Sequence, residues 1–196
     1  IIYEPPSRHK VCLPIIIKMA KPPIPFLTGN LFEPSSPEDA IKDAPLSVRM
    51  RPKTLDEYVG QTHILGEEKL LSRAIQADRL SSLILYGPPG SGKTTLAHCI
   101  SHTTKSHFER VNATSSNVEE LRKIIAASQM RRKTAPRKTI LFIDEIHRFN
   151  KAQQDVLMPD LEEGNLVLIG ATVFNPFFAL TGPLLSRSLI FELQPL

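Results

Sequence analysis

Tryptophan is missing from the 196 residues, cysteine occurs only twice, and aromatic residues make up 6% of the chain. The missing tryptophan excludes nothing. Cys12 and Cys99 lie far apart, and Cys99 falls on the apolar side of a helical pattern, which reads as reduced, packed thiol in a cytosolic protein. Long apolar runs are lacking too. The best, Val11 to Ile17, is interrupted by Pro14 and falls far short of the ~20 residues that span a bilayer. No small-residue cleavage pattern follows it, so neither a signal peptide nor a membrane partner is expected, and the chain reads as soluble and intracellular. A large charge excess is also absent. With 24 basic and 20 acidic residues the formal charge is +4, compatible with polyanion binding but too small to argue for it alone. At 41% hydrophobic and 22% charged, the composition excludes wholesale disorder and fibrous classes, and the length fits one domain plus a tail.

Proline is unevenly spread. Eight of the 17 fall within residues 1–44, without a sustained helical or strand period, and this stretch reads as an extended, disordered tail. The chain opens on Ile1, and Met19-Ala20-Lys21 would make a plausible start, so residues 1–18 are either upstream sequence or the edge of a fragment.

From Pro45 onward the texture is that of an ordered domain, residues 45–196. Leu55, Tyr58 and Val59 predict a short helix closed by Gly60. Glu67 to Arg79 predicts an amphipathic helix burying Leu70, Leu71, Ala74, Ile75 and Ala77. Strands are expected at Leu83–Tyr86, His107–Asn112, Lys138–Asp144, Leu166–Gly170 and Ser188–Leu193. Helices are expected over 93–103, from Asn117 with its capping-box-like Glu120, and over 150–162. Apolar strands alternating with amphipathic helices predict an α/β fold, a five-stranded parallel sheet sandwiched by helices. Any ligand should then lie beyond the carboxyl ends of the strands.

Two stretches carry chemistry. Gly87-Pro88-Pro89-Gly90-Ser91-Gly92-Lys93-Thr94, between the first strand and the following helix, has the Walker A spacing of a glycine, four residues, then Gly-Lys-Thr. Glycines let backbone N–H groups close around phosphate oxygens, and the helix points its positive end at the same anions. Lys93 would bridge the β- and γ-phosphates of a nucleotide, and Thr94 would offer its hydroxyl to Mg²⁺. Some fifty residues on, Ile140-Leu141-Phe142-Ile143 delivers Asp144 and Glu145. Asp144 would hold Mg²⁺ through water, opposite Thr94, and Glu145 would polarise the attacking water. Taken singly, each stretch is also what an ordinary glycine-rich cap or acidic turn would give.

Further polar groups follow. Asn175, or failing it Thr172, would reach the γ-phosphate or the lytic water; an Asn-Pro turn is the simpler alternative. Arg187 precedes the last strand, where it could serve a neighbouring subunit, though a solvated loop arginine is the plainer reading without family knowledge. Arg131, Arg132, Lys133, Arg137 and Lys138 form a basic patch that suits either a DNA backbone or solvent. His98 and His102 stand four apart on a helix, but no third ligand accompanies them. His147, beside Glu145, reads as a positioning residue.

These strings resemble the ATPase core of AAA+ proteins. More narrowly, they resemble the replication-associated recombination protein A family, which includes the eukaryotic Werner-helicase-interacting ATPase and is related to clamp loaders. The resemblance covers residues 45–196. It rests on Pro45 to Pro52, Val59-Gly60-Gln61, Leu80 to Gly90 and Asp144 to Asp155, with Phe149-Asn150-Lys151 and Gln153-Gln154 as the most family-specific part. It implies that Gly87 to Thr95 binds ATP phosphates and that Asp144 with Thr94 handles Mg²⁺. It further implies that Glu145 activates water, Asn175 is sensor 1, Arg187 is a finger acting in trans, and Leu46 to Gln61 contacts adenine. Asn112 matches a clamp-loader position that restrains the catalytic glutamate. Implied partners are forked or single-stranded DNA, further copies of the chain, and single-strand-binding protein or other replisome components, in the nucleoid-bearing cytoplasm or a nucleus. Val173 and Phe174 depart from the family's polar Thr-Thr-Glu-Asn-Pro. The helical lid and the C-terminal oligomerisation region would begin beyond Leu196, so weak hydrolysis by this chain alone is expected. A clamp-loader subunit, a Holliday-junction motor and a non-catalytic nucleotide-binding scaffold stay open as alternatives.

Overall fold

The computed structural model describes residues 45–66, 68–135 and 138–196. The proline-rich stretch 1–44, Glu67 and Arg137 of the basic patch lie outside the described residues.

Five strands form one parallel sheet: β1 Leu83–Tyr86, β2 His107–Asn112, β3 Thr139–Asp144, β4 Leu166–Thr172 and β5 Leu189–Glu192. Their order across the sheet is β2-β3-β4-β1-β5. The helices are α1 Leu46–Arg49, α2 Thr62–Leu65, α3 Leu70–Gln76, α4 Lys93–Thr103, α5 Val118–Thr134, α6 Lys151–Glu162, α7 Pro176–Ala179 and α8 Gly182–Ser186, with a 3₁₀ turn at Ile146–Arg148.

Period-two alternation divides the strand side chains between two cores. Leu83, Leu85, Ile140, Phe142, Val167 and Ile169 face Leu71 and Ile75 of α3 and Leu96, Cys99 and Ile100 of α4. Ile84, Leu141, Ile143, Leu166 and Leu168 face Leu121 and Ile125 of α5, Leu157 of α6 and Leu184 of α8. Each fully buried Leu or Ile contributes about 1.5–3 kcal/mol relative to exposure, so packing rather than intrinsic propensity holds the short helices in place. Cys99 is a buried free thiol, and burial pushes its pKa up. Gly170 in β4 is a packing notch: a Cβ there would lie 2.8 Å from Ile84 Cδ1 and 2.9 Å from Ile146 Cδ1.

The strands fall where the apolar runs predict them, with β4 running on to Thr172 and buried along its whole length. At the two edges, β2 and β5 are half-exposed. Asn117 caps α5 by accepting from the Glu120 N–H at 2.8 Å. Acidic residues fill the first turn of that helix and Arg131, Arg132 and Lys133 its last, matching its dipole at both ends.

Two helix expectations fail. No helix forms over Leu55–Val59: the Tyr58 N–H closes a turn on Leu55 O at 3.1 Å, and Gly60 and Gln61 both take positive φ. Five residues cannot repay helix nucleation, and folding back buries Tyr58 against the loop after β1. The next helix is shorter than expected, starting at Leu70 and giving way to Asp78 at φ 50. Leu71 and Ile75 are buried as expected, whereas Leu70 points outward, 61% exposed.

Candidate functional site

The carboxyl ends of the strands gather the motif residues. After β1, the loop 87–92 leads into α4 with Gly87, Gly90 and Gly92 all at positive φ, conformations that L side chains rarely adopt. The α4 N-terminus begins with the Leu96 N–H bonded to Gly92 O, so the amides ahead of it are free of helical partners. A hollow of about 220 Å³ opens here, lined by Gly90, Gly92, Lys93, Thr94 and Thr95. A Cβ on Gly90 would meet nothing within 4 Å. Pro88 and Pro89 stand exposed at the tip of the loop while Ser91 is fully buried beneath it.

Lys93 Nζ donates to the carbonyls of Gly87 and Pro88, both at 2.8 Å, and to Ser91 Oγ at 3.3 Å. Burial lowers its pKa, with the Asp144 charge opposing that shift. α4 packs across β3 and β4, and in crossing them it carries Thr94 to the end of β3. Thr94 Oγ1 donates to Asp144 Oδ2 at 3.4 Å. A hydroxyl and a carboxylate are the oxygen donors that a hard divalent cation takes, so the pair fits the ion the motifs imply.

Glu145 follows in a left-handed conformation, φ 55, with a half-exposed carboxylate 3.5 Å from Arg148 Nε. Next to it, His147 Nδ1 lies 3.1 Å from Thr172 Oγ1, its ring set edge-on against Phe174 at 4.7 Å. Burial lowers the His147 pKa. Thr172 is buried and its hydroxyl also accepts the Phe174 N–H at 3.1 Å, so it is committed to the protein. Asn175 is exposed at the same end of the sheet. Its side-chain oxygen caps α7 by accepting the Phe177 N–H at 3.0 Å, which leaves its amide nitrogen as the group able to serve a ligand.

The other expected residues are placed as follows. Val59 is 81% exposed, while the Gln61 side chain turns inward to Ser91 and Gln194. Asn112 sits in register with Asp144, but its oxygen accepts from Thr114 N and Oγ1 at 3.0 and 2.8 Å. Arg187 is not brought to this edge at all. It precedes β5 at the opposite end of the sheet, pairs with Glu162 at 2.6 Å, and helps line a hollow of about 600 Å³ with Ser81, Lys138 and Leu166. Arg131 pairs with Glu109 at 2.8 Å, and Arg132 donates to Glu163 O and Asn165 Oδ1. Part of the basic patch is thus used within the fold. The Phe149–Gln154 string is also structural. Asn150 and Gln153 form a capping box, and Gln153 Nε2 reaches Ser116 O. Gln154 accepts the Thr181 N–H that opens α8.

Sequence reasoning missed Arg110. Its guanidinium lies 3.3 Å from the same Asp144 oxygen that faces Thr94 and 5.9 Å above the Phe142 ring. The only available signal was its place two residues before Asn112 on β2, and that means nothing until β2 is known to border β3.

The sequence pattern of the family described as the Holliday junction DNA helicase RuvB P-loop domain matches residues 50–181. The chain belongs to that family. Among curated relatives of this RuvB-type P-loop domain, Replication-associated recombination protein A of Escherichia coli K12 is 49% identical over 152 residues, 78% of this chain and 34% of the relative. ATPase WRNIP1 of Dictyostelium discoideum is 44% identical over 153 residues, 78% of this chain and 17% of the relative. The chain thus spans about a third of the first curated relatives' length, 34%. Among solved structures, the Thermotoga maritima RuvB Holliday junction branch migration motor aligns with a TM-score of 0.57 at 33% identity, covering 74% of this chain and 48% of that one. A variant of the same protein reaches 0.61 at 32%, covering 74% and 49%. The relatives carry the names that the motifs resembled, and the fold is the P-loop AAA+ fold expected from them.

Proposed function

We propose that this RuvB-type domain is the ATPase core of a factor that hydrolyses ATP to act on DNA at stalled or damaged replication forks. The supporting observation is the approach of Thr94 Oγ1 to Asp144 Oδ2, 3.4 Å apart although fifty residues separate them, at the mouth of a glycine-lined hollow. The names of the relatives support the DNA role.

The loop Gly87 to Thr95 binds the phosphate chain through the backbone amides that line the hollow, those of Gly90 and of Gly92 to Thr95 at the α4 N-terminus, and exposed Val59 with Gly60 borders the base. Mg²⁺ would be held by Thr94 and, through water, Asp144, and would supply positive charge against the phosphate oxygens. Lys93 exchanges its loop carbonyls for phosphate oxygens. Glu145 accepts a proton from the attacking water as its oxygen bonds to the terminal phosphorus and the bond to the leaving ADP oxygen breaks. The amide nitrogen of Asn175 orients that water or the phosphate. Arg187, at the far end of the sheet from the glycine-lined hollow of its own chain, serves the site of a neighbouring copy, so the working form is an oligomer on forked or single-stranded DNA. Single-strand-binding protein or other replisome components are further partners, in the cytoplasm or a nucleus.

The test is phosphate release by a version extended to the length of its relatives, with and without forked DNA. The Glu145→Gln variant should lose at least a hundredfold in turnover while still binding nucleotide. Unchanged turnover would remove Glu145 from its role, and binding without turnover in either form would favour a scaffold. The match to the RuvB pattern sustains a second reading, a junction motor, and four-way-junction DNA stimulating turnover more than forks do would favour it.

A further inference from the structure

Three segments distant in sequence meet behind the phosphate loop. Gln61 is 5% exposed and sits at φ 55, ψ 34, a left-handed conformation uncommon for a residue with a side chain. Both polar atoms of its amide are engaged. Nε2 donates to Gln194 O at 2.6 Å and to Ser91 O at 3.3 Å, and Oε1 accepts the Gln194 N–H at 2.9 Å. The pairing with Gln194 is two-pronged, like a rung between strands, and joins the segment before α2 to the segment after β5.

The Ser91 carbonyl receives a second donor, the Tyr58 hydroxyl at 3.4 Å. Burial pushes the Tyr58 pKa up to about 12, so that hydroxyl keeps its proton throughout the working pH range. Tyr58 lies flush under Gly92, where a Cβ would strike its hydroxyl. In a trans peptide the C=O and the following N–H point in opposite directions. Fixing Ser91 C=O against Tyr58 and Gln61 therefore turns the Gly92 N–H to the other side of the peptide, the side of the hollow lined by Gly90, Gly92 and Lys93.

We propose that Gln61 is a positioning residue that couples the phosphate loop to the segment 193–196, so that filling the loop and ordering the chain beyond β5 favour one another. The inference rests on the nucleotide-binding reading of the hollow. Gln61 spends its side chain on the back of the loop, not on the ligand. Because linkage is reciprocal, whatever steadies Gln194 also strengthens nucleotide binding, by the same factor. The Leu193 N–H, bonded to Tyr86 O at 2.7 Å in continuation of the sheet, lies next door and does not touch Gln61.

Hydrogen exchange at single amides of the full chain, with and without saturating ADP, tests this, with ADP affinity measured separately by calorimetry. ADP should slow exchange at the Gln194 amide by roughly tenfold, the size of one net hydrogen bond, with a smaller change at Leu193. In Gln61→Met, which keeps length and loses all three hydrogen bonds, ADP should bind roughly tenfold more weakly and leave Gln194 exchange unchanged. Tyr58→Phe removes one donor from Ser91 and keeps the Gln194 pair, so it should weaken ADP severalfold and retain the protection at Gln194. If ADP binds but Gln194 exchange is unmoved, or moves equally in Gln61→Met, the coupling is wrong and the nucleotide site stands. Failure of ADP to bind the unaltered chain would overturn both.

Discussion

At the residue scale, the most telling conformation is that of Glu145. A glutamate held at φ 55 carries a backbone cost of roughly 1–2 kcal/mol that glycine would not, and its 3.5 Å approach to Arg148, between exposed groups, returns little. The left-handed turn ends β3 at Asp144 and leads the chain into the 3₁₀ turn Ile146–Arg148. Glu145→Gly should therefore be more stable than Glu145→Gln by about 1 kcal/mol in denaturant unfolding, with both inactive. Equal stabilities would mean that this conformation costs nothing. Asp144 and Glu145 were legible in the sequence because four apolar residues ending in two carboxylates are a local string. Arg110 was not, because its 3.3 Å contact with Asp144 depends on which strand lies beside which.

At the element scale, local rules read the strands and one cap well. Asn117 accepts the N–H three residues on, as its sequence context predicts, whereas Asn150, expected as the first helical residue, is itself the cap of α6. The rules failed over Leu55–Val59, where a helical spacing of three apolar residues is equally satisfied by a turn that lays Tyr58 under the phosphate loop. What decides between them is a partner about thirty residues away, beyond the reach of any periodicity. Gly170 is the element-scale counterpart. Nothing in Leu-Ile-Gly-Ala announces that β4 must be thin at that point, yet Ile84 and Ile146 both press on it. Gly170→Ala should cost about 1–3 kcal/mol by overpacking, and in an Ile146→Val background, which removes one of the two colliding methyls, the cost should shrink. A double-mutant cycle in thermal or urea unfolding measures this, and strict additivity would refute the clash.

For the whole molecule, the parallel order places the two ends of the sheet in different roles. Thr94, Asp144, Glu145 and Asn175 gather at the carboxyl ends, whereas Arg187 sits with Glu162 at the other end. On the proposed reading, Arg187 is too far round the sheet to serve the nucleotide hollow of its own chain. In an extended, assembling version, Arg187→Ala and Glu145→Gln should each abolish turnover, and mixing them should restore a fraction. On the proposed trans-acting reading, a mixed assembly would contain some sites with an intact glutamate and an intact arginine next door. No recovery on mixing, with assembly confirmed by light scattering, would return Arg187 to solvent. The sequence placed Arg187 before the last strand of a parallel sheet, which already put it at the amino ends, away from the expected ligand; its pairing with Glu162 could not be read, since it depends on which elements lie side by side in the assembled fold.

Strand β4 lies between β1 and β3, although both of those precede it in the chain. During synthesis, both halves of the proposed nucleotide site leave the ribosome before the ribbon that spaces them has emerged. A nascent chain that ends at Asn165 holds every atom of the Lys93–Thr94 and Asp144–Glu145 pairs, but not the intervening strand that sets their separation. On the proposed reading, competence should therefore arrive late, with the pairing of residues 166–172 between β1 and β3.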